Sequence, residues 1–196
     1  MRTVFRFLVA GLLLAGLVAC GPSKPPALPF KGTDIAGVDF GGDFTLTDQT
    51  GKSRSLSDYK GKVVALFFGY THCPDVCPTT MFEFANAMKQ LGAGAKNVQV
   101  LFVTVDPERD TPAVLASYVP HFDPSFVGLT GNPGQIEKVT SQFKIVAQKQ
   151  PTEGGGYTVD HSAGSYLFDR EGRLRAYEPY GAPAGQLAND IQLLLR

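Results

Sequence analysis

The chain is poor in cysteine and histidine and has no net charge, and each shortage excludes something. Three cysteines in 196 residues are too few for the disulfide framework of a small secreted scaffold. Lys plus Arg equals Asp plus Glu at 18 each, and no basic block breaks that balance, so nothing electrostatic points to nucleic acid. The apolar run at residues 7–19 has 13 residues, short of the ~20 that a spanning helix needs. Internal repeats and low-complexity tracts are also missing, which excludes solenoids. Gly154-Gly155-Gly156 lacks the Lys-Ser/Thr of a phosphate loop and reads as a flexible loop. With 22 glycines and 14 prolines the chain is rich in turns, which argues against a helical bundle. Its length suits one domain behind a targeting segment. A domain of ~160 residues buries roughly two-thirds of its unfolded surface and needs no disulfide to fold.

The N-terminus reads as an address. Arg2 and Arg6 precede the apolar run, which ends in small residues at Cys20, the layout of a secretory signal. Leu17-Val18-Ala19-Cys20 resembles the lipobox of bacterial lipoproteins, which implies cleavage before Cys20 and acylation of its thiol. The alternative is an uncleaved signal anchor with Cys20 a bystander. Either places the domain outside the cytoplasm at a membrane surface. The lipoprotein reading implies the periplasmic face of a bacterial membrane, the inner one preferred. Residues 21–36 hold four prolines and read as a stiff spacer. The domain then occupies residues 37–196.

Within the domain, residues 43–47 alternate polar and apolar as a half-buried strand does, and Asp48-Gln49-Thr50-Gly51-Lys52 is turn chemistry. Residues 63–68 and 98–105 are solid runs of strand formers, suited to central strands buried on both faces. Residues 78–91 predict a helix with Pro78 in its first turn and Met81, Ala85, Met88 and Leu91 on one face. Helices follow from Thr111-Pro112, from Pro133 and from Pro183. Residues 126–129 predict a short strand, and 165–168 with 173–177 a hairpin. The order gives an α/β fold: a central mixed sheet flanked by helices, with an added N-terminal β-hairpin.

The chemistry centres on Thr71-His72-Cys73-Pro74-Asp75-Val76-Cys77-Pro78, between a buried strand and a helix. Helix N-terminal N–H groups favour a thiolate there, which predicts lowered thiol pKa values. The i, i+4 spacing puts both sulfurs on one face. One extra residue between the cysteines, relative to the two of redox thioredoxins, suits a metal held between the sulfurs better than rapid disulfide cycling. A plain disulfide staple is the alternative, though so short a loop would stabilise weakly.

There are three histidines. His72 is expected to point away from the sulfurs, and His121 to lie at the surface after a helix. His161, in Val159-Asp160-His161-Ser162-Ala163-Gly164, precedes the hairpin strand. A thioredoxin-like sheet would bring that loop beside the cysteines, where redox thioredoxins carry a cis-proline. Two thiolates and one imidazole form a soft set that suits one Cu(I), whereas zinc prefers a fourth ligand.

Cys73-Pro74-Asp75-Val76-Cys77-Pro78, Val105-Asp106-Pro107-Glu108-Arg109-Asp110-Thr111-Pro112, Asp160-His161-Ser162 and the turn at residues 46–52 together resemble the Sco/SenC family of copper chaperones for cytochrome c oxidase assembly. The resemblance covers residues 40–196. It implies a thioredoxin-like fold, copper as Cu(I) or Cu(II) on Cys73, Cys77 and His161, and delivery to the dinuclear copper (CuA) centre. It also implies two kinds of partner: the oxidase's copper-binding subunit, and a periplasmic thiol reductant or another copper chaperone. Many members carry a transmembrane anchor, where this chain has a lipobox. Asp106 and Asp160 are candidates for orienting the site, with turn or capping roles as the alternatives. The rival activity is a thiol–disulfide oxidoreductase using Cys73 and Cys77 as a redox pair, for which His161 is unnecessary. A cysteine peroxidase would need an activating Arg that no sequence feature assigns.

Overall fold

The computed structural model describes residues 25–196; the signal segment and Cys20 lie outside the described residues. Strands β1 (Thr33–Asp34), β2 (Thr45–Asp48), β3 (Ser53–Ser55), β4 (Val63–Gly69), β5 (Val98–Thr104), β6 (Val127–Thr130), β7 (Ala147–Pro151), β8 (Tyr157–His161), β9 (Ser165–Phe168) and β10 (Leu174–Glu178) alternate with helices α1 (Val76–Leu91), α2 (Pro112–Tyr118), α3 (Pro133–Gln142) and α4 (Ala184–Leu194). Eight strands form one mixed sheet in the order β1-β10-β9-β4-β5-β6-β2-β3, and β7 and β8 form a separate hairpin.

The expected central strands are β4 and β5. Every residue of both is buried, so both sheet faces are covered, as an unbroken apolar run requires. They pair in parallel, Gly69 opposite Thr104. β9 runs antiparallel to β4, with its first residue, Ser165, opposite Phe67. Three segments therefore emerge at one end of the sheet: the turn after β4, the turn after β5, and the segment entering β9. That end is where open α/β sheets place their sites.

Three elements differ from the sequence-based expectation. Helix α1 starts at Val76, two residues before Pro78, so Cys77 lies in its first turn. Residues 147–161 form a hairpin, with Gly154 and Gly155 at positive φ in its tip. Gln148-Lys149-Gln150-Pro151 is largely exposed and has no apolar alternation to betray a strand.

The third difference is that the end of the expected spacer is docked on the domain. Thr33–Asp34 pairs with β10, Arg175 donates to the Pro26 carbonyl at 2.8 Å, and Asp190 accepts from the Lys31 and Gly32 amides at 3.0 and 2.7 Å. This strap covers what would otherwise be an open sheet edge. Beneath it Asp190 and Glu178 are both buried.

Burial, reinforced by the neighbouring Asp190, pushes the Glu178 carboxyl up to about 7. The folded chain therefore keeps a proton that the unfolded chain sheds near its ordinary value of 4.5. Stability falls as pH rises between those two values, by at most about 1.4 kcal/mol for each pH unit crossed. Between about pH 5 and pH 7.5, the urea midpoint should fall more for wild type than for Glu178→Gln. An equal fall in both would refute the claim that Glu178 is protonated beneath this strap.

Candidate metal centre

Cys73 and Cys77 are both free thiols, Cys73 partly exposed and Cys77 buried. The turn between them is closed by the Cys77 amide donating to Cys73 Sγ at 3.4 Å. His161, at the end of β8, stands across from them: its Nε2 is 3.5 Å from Cys77 Sγ over a sequence separation of 84. Its Nδ1 is 2.9 Å from the Ser162 carbonyl. A carbonyl only accepts, so Nδ1 carries the proton in the neutral ring and the Nε2 lone pair faces the sulfur. Tyr70 and Phe67 stand edge-on to the imidazole, with centroids at 5.9 and 6.5 Å.

The expected lowering of the thiol pKa does not hold for Cys77. Burial pushes that thiol far up, because removing a thiolate from water costs more than one helix end returns. Burial likewise pushes His161 down, against the Ser162 hydrogen bond and the charge of Asp160. Burial thus favours the neutral form of both Cys77 and His161. The site is also tightly fitted. A Cβ on Gly69 would lie 2.9 Å from Cys77 Sγ, from Phe102 and from Phe67, so only glycine lets the strand pass this close to the sulfur. Among the described residues, no three Cys, His, Asp or Glu side chains are already gathered at metal-ligating spacing. Cys77 meets His161 directly, and Cys73 lies across the turn, its sulfur on the Cys77 amide.

Sequence reasoning misses all but one of the groups that hold this arrangement. Asp110 is fully buried and accepts from the Thr71 amide at 3.0 Å, the Thr71 hydroxyl at 2.6 Å and the Thr104 hydroxyl at 2.6 Å. It pins the cysteine turn to the end of β5. Asp106 is also fully buried. It accepts from Arg109 Nε and from the Tyr157 hydroxyl at 2.9 Å, so it reaches the β7–β8 hairpin. The sequence offers Asp106 as a candidate for orienting the site, but marks Asp110 only as part of the Asp106-to-Pro112 run; Tyr157 carries no signal at all. Asp160 is exposed and acts on His161 through its charge. His72 turns to Thr71, 3.1 Å from its hydroxyl, and His121 is exposed.

An open apolar groove of about 700 Å³ starts at Thr71 and Pro78 and runs past Phe82, Val114, Tyr118 and Phe122. It contains neither sulfur nor His161.

The SCO1/SenC family model matches residues 33–196. The chain belongs to the SCO1/SenC family. A copper-bound structure of ScoI from Bradyrhizobium japonicum is 44% identical, covers 79% of this chain and 99% of its own, and has a TM-score of 0.74. The bovine mitochondrial SCO2 homolog is 40% identical over 77% of this chain. The match spans 58% of that protein's length. BsSco, described with a disulfide switch and as a member of the Sco family of cytochrome c oxidase assembly proteins, is 25% identical, with a TM-score of 0.64 over 87% of this chain and 98% of its own. The fold is thioredoxin-like, as these neighbours are, and family members take part in copper handling and oxidase assembly.

Proposed function

We propose that this chain is a copper carrier. Reduced Cys73 and Cys77 with His161 hold one copper ion, and a client takes it by ligand exchange. The client is the copper-binding subunit of cytochrome c oxidase, and the destination its dinuclear CuA centre. The observation that carries this reading is the 3.5 Å approach of His161 Nε2 to Cys77 Sγ, with the imidazole tautomer set so that a lone pair faces the Cys77 thiol, four residues from the second free thiol. Two soft sulfurs and one imidazole suit Cu(I). Loading releases the thiol protons, which removes the cost of a bare buried thiolate because the ion supplies the missing positive charge. Oxidation of the pair would end binding, so a periplasmic thiol reductant keeps the carrier in use; another copper chaperone is the alternative partner, as the source of the ion.

The oxidoreductase reading uses the same sulfurs. It gives His161 no part, and the raised Cys77 thiol is a poor attacking group.

The lipobox supports anchoring through acylated Cys20 at the periplasmic face of the inner membrane. Cys20→Ser should then leave an uncut precursor that incorporates no labelled fatty acid; equal labelling of wild type and variant would refute it.

The full chain, reduced and titrated with Cu(I) against a competing chelator, should bind one ion tightly. Cys73→Ala and Cys77→Ala should abolish tight binding. His161→Ala should weaken it by roughly a hundredfold or more, since losing even an orienting partner of a ligand costs about 10–100-fold. Wild-type affinity in His161→Ala would remove the third donor, and no tight copper in the wild type would remove the carrier reading.

A further inference from the structure

His161 stands on an element with little to hold it. The β7–β8 hairpin pairs only with itself, and its ten strand residues include one buried side chain, Val159. A hairpin of two strands is marginal alone, so the place of His161 depends on what fastens the hairpin to the domain. At its base, the Val146 amide donates to the Ser162 hydroxyl at 3.1 Å and the Ser162 amide to the Val146 carbonyl at 3.0 Å. Above that, the ties converge on one residue, Tyr157. Its hydroxyl donates to Asp106 at 2.9 Å. The Arg109 guanidinium donates to its carbonyl at 2.9 Å. The same guanidinium lies 3.8 Å over its ring, and Lys149, itself bonded to Glu108 at 2.7 Å, approaches that ring at 4.7 Å.

From this we infer that Asp106, Arg109 and Tyr157 form a latch that sets the position of His161, and so the strength of the metal's third bond, without touching the metal. The inference rests on the copper-carrier reading. Tyr157 and His161 are the first and last residues of one five-residue strand, so fixing one end limits the swing of the other. The latch is polar and anchored on a fully buried carboxylate, which makes it strong while closed and specific in geometry. An apolar clamp would have needed side chains that this hairpin lacks. The Arg109 guanidinium also reaches Tyr70, 5.7 Å from that ring, and Tyr70 packs edge-on against the His161 imidazole. The latch thus approaches the ligand from two sides. Arg109 and Tyr157 are positioning residues, and Asp106 orients them both.

Tyr157→Phe tests this most cleanly, because it keeps the ring under Arg109 and deletes one hydroxyl. In the metal-free full chain, amide hydrogen exchange across β7 and β8 should speed up roughly tenfold, the usual weight of a hydrogen bond to a charged group, while β4 and α1 stay as protected as before. Cu(I) affinity should fall roughly tenfold. In a His161→Ala background, the same Tyr157→Phe change should cost nothing further, since no third donor remains to misplace. Arg109→Lys, which loses the stack and the planar fork, should repeat the pattern. Unchanged hairpin exchange would overturn the latch, as would a Tyr157→Phe loss of the same size with and without His161. If His161→Ala alone binds copper like wild type, the three-donor reading fails instead, and the metal-free exchange result decides the latch by itself.

Discussion

The site depends on one turn, residues 104–110, and on the two buried aspartates it carries. The turn follows a fully buried central strand, so its position is fixed by the core. Asp110 reaches one way and holds Thr71, at the head of the cysteine turn. Asp106 reaches the other way and holds Tyr157, at the head of the strand that ends in His161. Neither carboxylate contacts a sulfur or the imidazole in these bonds. Both are buried carboxyl groups whose removal from water is offset by hydrogen bonds, two to Asp106 and three to Asp110. Donors separated by 84 residues are thereby set against each other by a segment that belongs to neither.

The electrostatics of the site are governed by burial. A helix N-terminus favours a thiolate, but Cys77 is buried deeply enough that desolvation prevails and its thiol is held well above the ordinary range. His161, pushed the opposite way by the same burial, stays neutral. A protonated thiol facing an imidazole lone pair is neutral, compact and unreactive. On the carrier reading, a soft cation would take the place of the thiol protons and supply positive charge that the buried sulfurs lack. Of the two sulfurs, Cys73 is the one partly open to solvent.

Much of this is legible in the residues. Solid apolar runs mark β4 and β5 because burial on both faces leaves few polar positions, Gln99 and Thr104 being the exceptions. Prolines at helix starts and the cysteine spacing mark the turn, and topology brings the segment before β9 to the same end of the sheet. What stays hidden has a common physical cause. The β7–β8 hairpin is exposed and held by polar contacts, so it lacks an apolar period. Tyr157 is significant only through contacts with residues lying 48 and 51 positions away. The strap over β10 reads as spacer because its prolines are visible, while its partner Asp190 lies on the last helix. The direction of the Cys77 thiol is hidden too, because helix polarity can be read locally whereas burial depends on the whole fold.

The most direct test of the central claim is copper K-edge X-ray absorption on the reduced, Cu(I)-loaded full chain. Two sulfur scatterers and one imidazole nitrogen around the ion, the nitrogen lost in His161→Ala, are what this account predicts. A shell of sulfur alone, unchanged by that substitution, would contradict it, because the hairpin and the turn that holds it would then have no part in holding the metal.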